Sequence, residues 1–337
     1  MIISRTPFRL SFFGGGTDYP VWFREHGGAV LSTTIDKYAY ITCRHFPPFF
    51  KYKYRLSYSR IEEVDRIEEI HHPSARACLR YMDVQRPLSM SYDGDLPART
   101  GLGSSSTFTV GLLKALYALR GELTDNNRLA REAIHVEQEL IGESVGCQDQ
   151  LAAAIGGFNL MRFGPGDKID VQPFRFDKNR RSALHDHLIL VFTGFSRFGQ
   201  KITRKVMKNT SKKEKEFLII RQIVDEAVRI LQSTGPVDRQ MTEFGRLLHE
   251  AWRIKRTLTA EISNPTIDSL YATARRAGAI GGKLLGAGGG GFFLLFAPPE
   301  RHSRIKKALH NYLPIPFEFE DSGSRIIFSK PEEYDVS

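Results

Sequence analysis

Pro97-Ala-Arg-Thr-Gly101-Leu-Gly103-Ser104-Ser105-Ser106 is the stretch that decides how this chain is read. From Phe108 onward the apolar residues Leu112, Ala115, Leu116 and Leu119 recur at helical spacing. Ser104 to Ser106 therefore fall in the first turn of a helix, where N–H groups without intrahelical partners and the helix dipole attract anions. Such a turn can hold a phosphate. It can equally be an ordinary helix start, because serine is a favoured cap and glycine serves any tight turn. Two other phosphate motifs fail. Gly282-Lys283 is followed by Leu284 and lacks the upstream glycine of a Walker loop. Gly286-Ala-Gly288-Gly-Gly-Gly291 runs into the strand-like Phe292 to Phe296, where a dinucleotide fingerprint needs a helix.

The 337 residues suffice for two ordinary domains with ample core. Charged residues make up 26% and the formal net charge is +10, which suits an anionic ligand such as a nucleotide or sugar phosphate. The basic residues are scattered rather than gathered on one face, so nucleic acid is not the expected partner. The densest run, Lys201 to Lys215, reads as a solvated loop and helix start. Cys43, Cys78 and Cys147 are odd in number and without C-x-x-C spacing, which argues against a disulfide framework or a zinc site and fits the cytoplasm. No apolar run approaches the ~18 residues of a membrane span, and no signal peptide is expected.

Residues 1 to about 60 read as strand-rich, with runs at Ala29 to Ile35 and Tyr38 to Cys43. Helices are expected at 73–83, 104–120 and 125–142, and strands at Phe158 to Phe163 and Asp170 to Phe176. The polar stretch Asp177 to Asp186 marks the boundary between an N-terminal domain, 1–182, and a C-terminal one, 183–337. The second half offers a strand at Leu188 to Thr193 and helices at 213–233, 238–259 and 265–278. Strands at Phe292 to Ala297, Phe317 to Phe319 and Arg325 to Phe328 complete an α+β domain.

Three acids stand out. Asp18 follows the turn Gly14-Gly15-Gly16-Thr17, where it can meet vicinal sugar hydroxyls or serve only an Asx-type turn. Glu137 lies at the edge of an apolar helical stripe, flanked at i−4 and i+4 by Ala133 and Ile141, whereas Glu139 falls on the polar face. A semi-buried Glu137 needs a partner, either a metal cation or an arginine. Asp149, before the small-residue run Leu151 to Gly157, reads as the first turn of a buried helix, a cap or a proton acceptor.

Together these stretches resemble the GHMP kinase superfamily, named for galactokinase, homoserine kinase, mevalonate kinase and phosphomevalonate kinase. Pro7-x-Arg9-x4-Gly14-x2-Thr17-Asp18-Tyr19 is similar to the first family motif. Pro97-x3-Gly101-Leu-Gly103-Ser-Ser-Ser106 is similar to the ATP loop, and Lys283-Leu-Leu-Gly286 to Phe292 resembles the C-terminal glycine loop. The resemblance implies a two-domain α+β fold, an N-terminal domain like the second domain of ribosomal protein S5 joined to a ferredoxin-like one. It implies ATP and Mg²⁺, with Pro97, Gly101, Leu102, Gly103 and Ser104 to Ser106 around the phosphates and Ser105 and Glu137 on the metal. Asp149 then accepts the substrate hydroxyl proton or orients that hydroxyl, Arg9 pairs with Asp149, and Asp18 binds sugar hydroxyls.

Gly14-Gly15-Gly16-Thr17-Asp18 departs from the G-E-H-T-D of galactokinases, which puts galactose in doubt and leaves room for a bulkier sugar. With Thr193-Gly-Phe-Ser-Arg197, Ile262-Ser-Asn-Pro265 and the Lys283 loop, it looks most like the D-glycero-D-manno-heptose 7-phosphate kinase branch. The substrate contacts implied are Gly15, Gly16, Thr17, Asp18, Gly288 and Gly289. Arg197, Lys255 and Lys283 are candidates for gripping a substrate phosphate, or are surface charges. The alternatives are a kinase of an unphosphorylated sugar, such as fucose, arabinose, a uronic acid or galactose, and a non-catalytic sugar and ATP sensor. The only partner expected is a small-molecule sugar or sugar phosphate, bound by a monomer or homodimer.

Overall fold

A computed structural model describes residues 1–47, 49–98, 100–195 and 199–330. The first half builds β1 (Ile2–Phe13), α1 (Pro20–His26), β2 (Gly28–His45), β3 (Tyr54–Ser57), β4 (Ile61–Val64), α2 (Pro73–Tyr81) and β5 (Leu88–Gly94). It continues with α3 (Ser104–Leu119), α4 (Asn126–His135), α5 (Gln148–Ile155), β6 (Asn159–Gly164) and β7 (Lys168–Pro173). The two runs read as separate strands, Ala29 to Ile35 and Tyr38 to Cys43, are one long β2, irregular near Asp36 where its pairing to β1 shifts register.

The second half builds α6 (Lys178–Asp186), β8 (Leu188–Phe192), α7 (Gly199–Lys208), α8 (Glu214–Gln232), α9 (Val237–Arg256) and α10 (Pro265–Ala277). After these come β9 (Gly281–Leu284), β10 (Phe292–Phe296), α11 (His302–Ala308), β11 (Leu313–Ile315), β12 (Phe319–Glu320) and β13 (Arg325–Ser329). The stretch read as a polar boundary is thus the helix α6, capped by Asp177, whose side chain accepts from Asn179 and Arg180. Part of the basic run is likewise the helix α7, which buries Ile202, Thr203 and Val206.

Among the described residues the strands form two sheets. The smaller is antiparallel in the order β11-β8-β10-β9, and the larger runs β13-β1-β2-β5-β3-β4, with β6 and β12 also on β2 and β7 on β6. This corrects one expectation: the strands near 317–319 and 325–328 do not complete the second domain. β12 pairs with β2 through Phe319 opposite Ile35, and β13 pairs with β1 through Ile2 opposite Ser329. The free edge of β1 offers a full row of backbone partners to the returning chain, which short-range pattern does not reveal.

α3 and α5 cover one face of the large sheet, while α8 and α9 pack on its other side. One apolar cluster links both halves through Phe8, Leu10 and Phe12 of β1, Phe244 of α9, and Leu294 and Phe296 of β10. The Phe244 ring meets Phe12, Phe13 and Phe296 at 5.8, 5.1 and 5.5 Å. Truncating such a side chain to alanine costs about 3–5 kcal/mol. The register of β1 shifts between Pro7 and Phe8. Ser4 and Thr6 before the shift face Gly111 of α3, and Arg9 after it reaches the loop leading into α3. A change of parity at a β irregularity re-aims side chains in this way, and here it delivers Arg9 to the site.

Candidate active site

The Pro97 to Ser106 loop lies along the seam between the two sheets. The Leu102 carbonyl accepts from Arg9 N at 3.2 Å and the Thr100 carbonyl from Phe292 N at 3.1 Å, so the loop is tied to β1 and to β10. The Thr100 hydroxyl donates to the Pro97 carbonyl at 2.7 Å, and Leu102 is fully buried as an anchor. A methyl on Gly101 would lie 2.5 Å from the Leu285 carbonyl oxygen, and one on Gly286 only 2.4 Å from the Gly101 Cα. The two glycine loops therefore meet as one surface. Gly103 is the N-cap of α3, and no side chain caps the helix. The serines sit inside the first turn rather than capping it, which leaves the positive end of α3 facing the loop.

Asp149 lies in the first turn of α5 and does not cap that helix. Its carboxylate instead takes a two-pronged ion pair from Arg9, Nε to Oδ1 and Nη2 to Oδ2, both 2.8 Å. Such a fork fixes orientation as well as charge. The remaining Arg9 nitrogen donates to the Gly101 carbonyl at 2.7 Å, so one guanidinium joins the acid to the glycine loop. The Arg9 side chain is 5% exposed and that of Asp149 26% exposed. The acid keeps an open side.

The helix expected over 125–142 is α4 followed by a π-helical turn, Val136–Leu140. The wider turn carries Glu137 to full burial while Glu139 stays exposed. Ser106 Oγ donates to Glu137 Oε2 at 2.8 Å and Gln150 Nε2 to the same oxygen at 2.5 Å, whereas Oε1 has no partner. Burial pushes this carboxyl up to about 7. A buried carboxylate oxygen without a donor is costly, and a cation is one way to satisfy it. No arginine pairs with Glu137 among the described residues. It is Ser106 rather than the exposed Ser105 that touches Glu137. No group of three or more His, Cys, Asp or Glu side chains could hold a metal among the described residues. The single carboxylate of Glu137 beside a serine hydroxyl fits Mg²⁺ instead, which commonly takes one or two carboxylates and completes its shell with water and substrate phosphates.

The first-motif turn divides into brace and opening. Thr17 is buried, its hydroxyl donating toward the Gly14 and Ala29 carbonyls at 2.8 and 2.9 Å, so it braces the turn instead of meeting a ligand. Asp18 does more than serve an Asx-type turn. It accepts from Gly16 N at 2.9 Å, but also from Gln148 N at 3.2 Å and Gln148 Nε2 at 3.1 Å, which ties the turn to the start of α5. Burial, and secondarily the Asp149 charge, push the Asp18 carboxyl up. Gly15 faces Gln148 Nε2 and Ser11 Oγ, whose nearest approaches to a methyl there would be 3.4 and 3.6 Å. Both Ser11 Oγ and Gln148 Oε1 lack hydrogen-bond partners. Gln148 and Gln150 flank Asp149 in sequence, and their polarity in an otherwise small-residue helix was the available signal for both.

The basic candidates fare differently. Arg197 lies outside the described residues. Lys283 is 6% exposed and donates to the Ser11 and Phe12 carbonyls, both at 2.9 Å. It fastens β9 to the end of β1 and does not point at an open phosphate site, a correction that follows from its place on a fully buried edge strand packed against β1. Lys255, in the last turn of α9, is half-buried and donates to the Leu284 and Gly286 carbonyls at 2.9 and 2.5 Å. Gly288 and Gly289 pack on the turn at Ile262, Gly289 N donating to the Ile262 carbonyl at 2.9 Å.

Residues 70–157 match the GHMP kinases N terminal domain and residues 220–315 the GHMP kinases C terminal domain. A D-glycero-alpha-D-manno-heptose 7-phosphate kinase of Campylobacter jejuni is 29% identical over 322 residues, 91% of this chain and 93% of that protein. A bifunctional fucokinase/GDP-fucose pyrophosphorylase of Arabidopsis thaliana is 26% identical over 91% of this chain but only 31% of its own length. The crystal structure of a D-glycero-D-manno-heptose 1-phosphate kinase from Bacteroides thetaiotaomicron superposes with a TM-score of 0.77 at 25% identity, covering 98% of this chain and all of that one. With both domain signatures present in order, the chain belongs to the GHMP kinase superfamily.

Proposed function

We propose that this protein transfers the γ-phosphoryl group of ATP to a hydroxyl of a sugar phosphate. The finer assignment is the anomeric hydroxyl of D-glycero-D-manno-heptose 7-phosphate, giving the 1,7-bisphosphate. The observation that carries the kinase chemistry is the Arg9–Asp149 pair held against Gly101 at the positive end of α3. The acceptor hydroxyl gives its proton to Asp149 as its oxygen bonds to the γ-phosphorus. The bond from that phosphorus to the bridging oxygen breaks, and the electron pair leaves with ADP. Arg9 and the first turn of α3 face the charge that spreads over the phosphoryl oxygens. Glu137, with Ser105 or Ser106, would hold Mg²⁺, which supplies charge neutralisation when bound.

Support for a heptose phosphate comes from the Campylobacter and Bacteroides proteins, whose names place it in a 7-phosphate or a 1-phosphate. Gly15 supplies room beside Gln148 and Ser11 that a side chain would fill. A kinase of an unphosphorylated sugar is the second reading, favoured by the likeness to the fucokinase. ADP release with ATP and Mg²⁺ across sugars and sugar 6- and 7-phosphates separates the two. Turnover restricted to heptose 7-phosphate establishes the finer reading, and turnover only with a free sugar replaces it. Asp149→Asn should lower kcat by roughly 10³-fold with ATP binding kept, on the scale of general-base loss. Near-normal turnover in that variant would remove Asp149 from the mechanism.

A further inference from the structure

Arg9 has a counter-ion, and its two cationic neighbours do not. Lys255 and Lys283 donate only to backbone carbonyls, Leu284 and Gly286 for the first, Ser11 and Phe12 for the second. No carboxylate pairs with either among the described residues. Burial, then the charge on Arg9, pushes the Lys255 ammonium down to about 7. Lys283 is pushed well below its ordinary value by burial, then by Lys255 and Arg9. Arg9 and Lys255 thus have one carboxylate between them, Asp149, in a largely buried seam, with the Lys283 amine beside them. Carbonyl dipoles compensate an ammonium only partly, and like charges repel strongly where water is scarce. A site with that surplus favours an anion.

Its place follows from the packing. Lys255 holds the Gly286 carbonyl, Gly286 abuts Gly101, and the Gly101 carbonyl binds Arg9. The surplus therefore lies where the glycine seam meets the Arg9–Asp149 pair, at the reacting end of the proposed ATP site and not at a remote substituent of the acceptor. Lys283 is spent on the two β1 carbonyls, out of reach of solvent. Lys255, in the last turn of its helix, retains a third N–H and partial exposure.

We propose that Lys255 is a catalytic residue that stabilises the phosphoryl group in transit, sharing with Arg9 the charge that builds as the bond to ADP breaks and the acceptor oxygen bonds. This rests on the kinase reading above and replaces the idea that Lys255 grips a distant substrate phosphate.

The test is Lys255→Met beside Lys255→Arg, with kcat and KM for ATP measured on the acceptor the panel identifies, and Tm of the nucleotide-free protein at pH 7. Lys255→Met should lose 10²–10³-fold in kcat, on the scale of removing one preorganised donor, with KM for ATP within about threefold. Its Tm should hold or rise, because an uncompensated cation has gone. Lys255→Arg should recover at least tenfold. A kcat within threefold of wild type, or a Tm that falls together with activity and no rescue by arginine, overturns the proposal in favour of a structural lysine. If ATP with Mg²⁺ neither raises the wild-type Tm nor yields ADP with any acceptor, the kinase reading itself falls and takes this one with it.

Discussion

The two glycine-rich turns beside the site look alike in sequence and serve opposite ends. In the C-terminal loop, packing imposes the glycines. A methyl on Gly291 would lie 2.2 Å from the Thr100 carbonyl oxygen with φ at +104°, and one on Gly290 2.7 Å from the Phe195 ring. In the first-motif turn, Gly14 is imposed in the same way, 1.9 Å from the Ala29 carbonyl oxygen, but Gly15 is not. Its backbone avoids the left-handed region, and a methyl would meet nothing closer than 3.4 Å. A glycine that neither conformation nor neighbours require marks space kept for something else, here a volume facing Ser11 and Gln148.

The largest effect that separates the turns is therefore on stability. Gly291→Ala combines an unfavourable backbone with overlap against Thr100 and should cost about 2–5 kcal/mol, read as a large drop in Tm or loss of soluble protein. Loss of activity at unchanged Tm would mean that Gly291 serves the ligand after all. Gly15→Val should give the reverse pattern, with a Tm close to wild type and a KM for the acceptor raised about tenfold or more, on the scale of filling a fitted pocket. KM for ATP should stay level. A Gly15→Val protein with unaltered acceptor kinetics would break the distinction, since Gly15 would then be neither packing nor opening.

Sequence carried much of the site because its chemistry sits at local punctuation. Gly101 and Gly103 mark the turn into α3, and the burial of Glu137 follows from helical period even though a π turn completes it. What stayed illegible depends on partners far along the chain. The union of Gly101 with Gly286 joins residues 185 positions apart, and the return of β13 to β1 joins the two chain ends. Nor does a lysine's neighbourhood in sequence say which way its amine points, and the basic residues drew the loosest readings for that reason. Thr17 and Ser106 show the same limit at one hydroxyl each: adjacent serines or threonines differ in role through rotamer and partner alone.

Lys283 ties the two turns together, since it leaves the strand before the C-terminal loop and ends on the Ser11 and Phe12 carbonyls just ahead of Gly14. Its titration gives the smallest and most specific of these effects. The folded protein holds this ammonium well below the ordinary value of 10.5, through burial and the nearby Lys255 and Arg9 charges. As pH rises above neutrality toward that value, the unfolded chain keeps the proton that the folded one has released, so this group makes stability rise with pH. The wild-type advantage over Lys283→Met should accordingly be larger at pH 9.5 than at pH 7, measured by urea unfolding at each pH. Lys255 contributes in the same sense in both proteins and largely cancels in the difference, apart from its coupling to Lys283. An advantage that is equal at the two pH values, or greater at pH 7, would show that Lys283 remains charged in the folded state. The two turns would then be held by a charged ammonium on two carbonyls, and the positive charge surplus at the glycine seam would be larger by one.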